Sequence, residues 1–172
     1  MNPAPPFAWL VQLRDLPLDG LKIVRTLTED ECEALAANAG IEAVTSLTAR
    51  GEVRPWADGV EVEISFAADV VQACVLTLEP VADHVVGEFT RRYSPSVQGS
   101  EAGEVDLSPD EDDPPELLKA DAIDLGPAVA EELILDLNPY PRAPGASLPT
   151  EAIDEGAGAS PFAVLERLKP KS

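Results

Sequence analysis

Between Val60 and Phe66 the chain alternates strictly. Val60, Val62, Ile64 and Phe66 are apolar, and Glu61, Glu63 and Ser65 stand between them. A period of two sends successive side chains to opposite faces of an extended backbone, so this run encodes a strand with one buried and one wet face. A strand of that kind needs hydrogen-bonded neighbours and a covering layer. The chain must therefore build a sheet, and the flanking sequence says what accompanies it.

Ile41 to Val53 reads as a strand before the alternating run, joined to it by a turn at Pro55-Trp-Ala-Asp-Gly59. Val70 to Leu78 is more continuously apolar, as a more central strand would be. Pro80 opens another connection. Val81 to Tyr93 suits a strand or a short helix, and the alternation before it favours strand. Near the start, Phe7 to Leu13 reads as an edge strand. Leu16-Pro-Leu-Asp-Gly20 then turns the chain, and Leu21 to Leu27 extends again. Leu117 to Ile123 reads as a last short strand.

Two helices fit between these runs. Thr28-Glu-Asp-Glu31 is a capping box, with hydroxyl and carboxylate each bonding the other residue's amide. That helix runs to about Asn38, and Gly40 takes the left-handed position after it. Cys32, Leu35, Ala36 and Ala39 share one face. The second helix is expected to be capped by Asp124, with Leu125, Val129, Leu133 and Leu137 at i+4 steps and Pro127 in its first turn. Pro139 and Pro141 stop it. The expected fold is α+β: an antiparallel β-sheet, free to curl, with two helices packed on one side and a long acidic loop.

The 172 residues are enough for one domain with a real core. That domain is expected over residues 1–145. Within it, 97–116 carries Glu101, Glu104, Asp106, Asp110, Glu111, Asp112 and Asp113 with few apolar residues, which predicts a mobile loop. Residues 146–172 read as a flexible tail with a short docking helix near 161–168. The whole chain holds 32 acids against 12 bases, a formal net charge of −20. Such a surface repels phosphate and attracts basic proteins, which argues against a freestanding nucleic-acid binder. No apolar run reaches the length of a membrane span. Met1-Asn-Pro-Ala-Pro-Pro lacks the regions of a signal peptide, so a cytoplasmic protein with reduced thiols is expected.

The two cysteines, Cys32 and Cys74, form no CxxC pair. With one histidine, His84, they fall short of the four ligands of a structural zinc site, so no metal or other cofactor is expected. Cys74 would need a base to act as a nucleophile, and among Val71, Val75, Leu76 and Leu78 it reads as core filling. No catalytic constellation is expected. Thr77, Glu79 and Pro80 end a strand, where Glu79 either faces a basic partner or is simply solvated. Asp110, Glu111, Asp112 and Asp113 lack the spacing of a calcium loop and suit a basic peptide without fixed geometry. Pro139, Tyr140, Pro141 and Arg142 combine a preset backbone with an aromatic anchor and a bidentate donor, as contact surfaces do. The same residues also suit a helix stop whose Tyr140 packs on the sheet. Arg50, Arg54, Arg91 and Arg92 form a small basic patch, a seat for RNA, if their strands adjoin.

Two peptides in this order carry a resemblance. Val70-Val-Gln-Ala-Cys-Val-Leu-Thr-Leu-Glu-Pro-Val81 and Ile123-Asp-Leu-Gly-Pro-Ala-Val-Ala-Glu-Glu-Leu-Ile-Leu-Asp-Leu-Asn-Pro-Tyr-Pro-Arg-Ala-Pro-Gly145 together resemble the YceD family of large ribosomal RNA subunit accumulation proteins. The Leu-Pro-Leu-Asp-Gly turn, the Glu33-Ala-Leu-Ala36 helix end and the Val-Glu-Val strand occur in the same order as in that family. The tail Pro161-Phe-Ala-Val-Leu-Glu-Arg-Leu168 looks like the ending of alphaproteobacterial-type members. The resemblance implies a non-enzymatic role in large-subunit biogenesis that supports 23S rRNA accumulation. The acidic charge adds the expectation of a basic ribosomal protein as partner, with bL32 the natural suspect because family members are typically encoded beside it. Direct rRNA binding through the arginines is the alternative reading, and a thiol- or carboxylate-dependent enzyme is a further one.

Overall fold

The period-two run belongs to a strand twice its length. The computed structural model describes residues 5–14, 16–95, 115–118 and 121–147. Among these the chain forms, in order, β1 (Leu10–Gln12), β2 (Leu21–Thr26), α1 (Glu29–Ala39), β3 (Ala43–Trp56), β4 (Gly59–Ala73), β5 (Pro80–Ser94), β6 (Glu116–Leu117), β7 (Ala122–Asp124) and α2 (Gly126–Asp136). The α+β class expected from the sequence is what is found.

The main sheet has the order β2-β3-β4-β5-β6. Its first three pairings are antiparallel, with Gly51 opposite Ile64 and Ile64 opposite Phe89. Two features depart from a single antiparallel sheet. β6 lies parallel to β5, with Tyr93 opposite Glu116. β1 and β7 form a separate antiparallel pair, with Val11 opposite Ile123. The expected strand Leu117–Ile123 is thus two short strands in different sheets.

β4 alternates along its length. Val60, Val62, Ile64, Phe66, Ala68, Val70 and Gln72 are buried, and the residues between them are exposed or half-buried. The expected break between Phe66 and Val70 does not exist, and the strand ends at Ala73 rather than Leu78. β3 likewise runs through Pro55 and Trp56, which the sequence assigns to the turn. Only Ala57 and Asp58 turn the chain, with Trp56 opposite Gly59. β2 stops at Leu21, opposite Val53. Beyond it the outer side of Pro55 is a sheet edge, where a missing N–H breaks no ladder.

One apolar core joins the buried face of the sheet to Cys32, Leu35 and Ala36 of α1 and to Val129, Ala130 and Leu133 of α2. The capping box of α1 is complete. The Thr28 amide donates to Glu31 Oε2 at 2.9 Å, and the Glu31 amide donates to Thr28 Oγ1. The Thr28 backbone bond is the chief reason the Glu31 carboxyl lies below its usual range, and Arg25 adds to it. Gly40 closes the helix in the left-handed region, at φ 67°.

The start of α2 differs from expectation. Its N-cap is Leu125, with no capping side chain. Asp124 belongs to β7, and its Oδ1 accepts from the amides of Trp9, at 2.8 Å, and Gly126, at 3.0 Å. One carboxylate therefore ties β1 to the beginning of α2. No helix among the described residues is long and apolar enough to cross a membrane. Of the expected acidic loop, 97–114 lies outside the described residues and Glu116 belongs to β6 instead; the expected docking helix near 161–168 also lies outside them.

Candidate partner-binding site

The two peptides that the sequence singles out meet in space. β4 and β5 are joined by Cys74–Glu79, closed by the Cys74 amide donating to the Glu79 carbonyl at 2.8 Å and the Leu78 amide to the Cys74 carbonyl at 2.9 Å. Leu78 takes the left-handed region, φ 60°, to complete the turn. The Thr77 hydroxyl donates to Glu79 Oε2 at 3.0 Å. The segment after α2 lies against this loop. Gln72 Nε2 donates to the Asn138 carbonyl at 3.0 Å, and the Val75 amide donates to the Pro141 carbonyl at 2.9 Å.

Cys74 lies inside this clasp and is fully buried. The Thr77 hydroxyl, and after it the Ala143 backbone N–H, bring the thiol down to about 7 despite its burial. His84, the sole histidine, is not its partner. His84 Nδ1 contacts Asp69 Oδ1 at 2.7 Å on the exposed face of the sheet, where Asp69 Oδ2 also accepts from Ser46 at 2.7 Å. That order puts a carboxylate rather than the imidazole on the hydroxyl, unlike a nucleophilic triad. Among the described residues no group of three or more His, Cys, Asp or Glu side chains is placed to hold a metal.

The remaining sequence-derived residues divide by location. Thr77 and Glu79 sit in the loop, and Pro80 opens β5. Pro141 is buried, while Pro139, Tyr140 and Arg142 are exposed. Tyr140 is 71% exposed and does not pack on the sheet. Its amide donates to Asn138 Oδ1 at 2.9 Å, a local turn that fixes the proline segment. Asp110, Glu111, Asp112 and Asp113 lie outside the described residues.

The four arginines occupy adjoining strands but do not make a free basic patch. Arg54 donates to Glu52 at 2.8 Å, and Arg92 donates to Glu61 at 2.9 Å and stacks over Trp56. Arg91 faces the other side of β5 and bonds Glu116 and Glu131 at 3.0 and 2.9 Å. Arg50 is exposed, with no ion pair among the described residues.

Sequence reasoning missed a groove beside the clasp. It encloses about 730 Å³ and is lined by Ala39 and Gly40 from the end of α1, Glu42, Gln72 and Val75, and Leu135 from the end of α2. A signal for it was present. Leu135 lies off the Leu125, Val129, Leu133, Leu137 stripe that faces the core, and it is 75% exposed. An apolar residue on the wrong face of a helix marks a contact that the chain does not itself make.

Fold and site together define an acidic α+β protein with a clasped hairpin loop beside an apolar groove. The chain belongs to the YceD family: the family model described as large ribosomal RNA subunit accumulation protein YceD matches residues 62–169, well over half the chain, and takes in both clasped peptides. The early Leu-Pro-Leu-Asp-Gly turn and α1 precede the matched region. Comparison with curated proteins and with solved structures found no match. The family's description supports a role in large-subunit biogenesis.

Proposed function

We propose that this protein is a non-enzymatic, cytoplasmic factor that supports 23S rRNA accumulation by binding a basic ribosomal protein, with bL32 as the first partner to test. The observation that carries the reading is the fate of the arginines. Three of the four offered for RNA already bond carboxylates of their own chain. The whole chain carries a net charge of −20, and among the described residues these ion pairs leave little free cation to meet phosphate. An acidic carrier competes with nucleic acid for a basic protein until the assembling particle takes it.

The Cys74 environment supports the non-enzymatic side. The thiol is held by its own loop, away from solvent and from the imidazole. The test is association of the purified protein with purified bL32 at low and at high ionic strength. Binding at low salt that weakens as salt rises is expected. Failure to associate at low salt overturns the carrier mechanism, and selective retention of 23S rRNA fragments instead favours the RNA reading.

A further inference from the structure

We infer that the groove between the ends of α1 and α2 is the docking site for a cationic protein segment with aliphatic anchors. This deepens the carrier reading above and rests on it. The walls are apolar: Val75 is 44% exposed, and Ile134 and Leu135 turn outward from α2. Leu78, on the clasped loop, is 76% exposed. Apolar surface on several elements facing one groove suits a partner's aliphatic side chains.

Two further features set the charge of the occupant. Both helices end at this groove, and neither has a basic residue in its last turn. The negative ends of two helix dipoles therefore face it without a cation of their own. Glu42 lines the groove, and Glu79 lies on the clasped loop beside it. Finally, Gln72 lines the groove and is more than nine-tenths buried. Its Nε2 is used on Asn138, which holds the side chain in place, and its buried Oε1 has no hydrogen-bond partner among the described residues.

These features select protein over nucleic acid. Phosphate is repelled by the carboxylates and helix ends, and the groove offers aliphatic walls rather than the aromatic platforms on which bases stack. A segment with Lys or Arg next to Leu, Ile or Val satisfies the walls and the dipoles together.

The test immobilises the full chain and challenges it, at low salt, with the basic proteins stripped from purified large ribosomal subunits. Leu135→Asp and Glu42→Lys are compared with wild type and with Glu88→Lys, a charge change on the opposite sheet face. Urea midpoints confirm that each variant is folded. Groove variants are expected to bind about tenfold more weakly, a typical anchor loss, while Glu88→Lys stays near wild type. A photo-crosslinker at position 135 is expected to attach to a peptide with basic and aliphatic residues side by side. If wild type binds but the groove variants bind equally well, the docking site is wrong and the carrier reading survives. If wild type binds nothing, both fall. Crosslinking at 135 to a second copy, or to the chain's own residues 161–168, also overturns the proposal by giving the groove a different occupant.

Discussion

The amide of Val75 donates to the carbonyl of Pro141 across 2.9 Å. The bond joins a hairpin loop to the segment after α2, sixty-odd residues later. With Gln72 on the Asn138 carbonyl, it fixes the loop that closes over Cys74. Loop, thiol and proline segment therefore form one unit, and its ionisation is coupled to its folding.

That coupling predicts a pH-dependent stability. The Cys74 thiol is at about 7 in the fold, against its ordinary 9.0. Between those values the unfolded chain holds a proton that the folded chain has released, so stability rises with pH. The contribution is complete above about pH 9 and is lost as pH falls through about 7. Urea unfolding under reducing conditions at pH 6 and pH 8.5 checks this. Cys74→Ala is expected to flatten the rise. Burial pushes Cys32 upward, so Cys32 has the opposite effect and acts only above its own ordinary 9.0.

The same geometry sets thiol reactivity. A thiolate near neutral pH is nucleophilic, but Cys74 has no exposed surface. Alkylation of the native protein by iodoacetamide is expected to follow loop opening rather than ionisation alone. Pro141→Ala, which leaves the carbonyl but loosens the backbone, is expected to speed labelling of Cys74 and leave that of Cys32 unchanged. Equal rates in wild type and variant would contradict the clasp.

Two leucines one turn face apart in α2 separate core from contact surface. Leu133 is fully buried and Leu135 is 75% exposed. Leu133→Ala is expected to cost about 2–5 kcal/mol, the range for a buried aliphatic truncation. Leu135→Ala is expected to stay within about 0.5 kcal/mol of wild type. Denaturant midpoints distinguish them, and a large loss at Leu135 would mean that the groove is filled from within the chain.

Much of this was legible in the sequence, and the misses have physical causes. The Val60–Phe66 alternation, the Thr28–Glu31 box and the α2 leucine stripe are local, and each survives as read. The middle of β4 was hidden because Ala67 and Ala68 give no contrast between faces, and Val70-Val71 puts apolar residues on both. Pro55 suits a turn by its residue type, but a sheet edge tolerates it. Asp124 resembles a cap, yet a strand carries it, and its carboxylate reaches the helix from outside. The sequence order of the two family peptides carried no information on the Val75–Pro141 bond, which depends on how β4 and α2 end at the same place. The groove needed that knowledge too, although Leu135 on the wrong helix face was visible.

The arginines give the last prediction, and it separates fold from function. Arg91 is only 24% exposed at its side chain and bridges Glu116 and Glu131. Arg91→Glu puts a third carboxylate against two others and removes the donor of both. A loss of up to about 1 kcal/mol is expected, the range for ion pairs whose carboxylates are more than half exposed. Arg50→Glu changes an exposed residue and is expected to leave stability within about 0.5 kcal/mol. Arg50 is therefore the cleaner probe for RNA contact, because an Arg91 variant also breaks the pairs that Arg91 makes with Glu116 and Glu131 within the fold. If rRNA affinity is lost in Arg50→Glu while the urea midpoint is unmoved, phosphate is met on the outer face of the sheet and the carrier reading is wrong. If rRNA affinity is unaffected while binding of the basic protein persists, the positive charge that matters belongs to the partner.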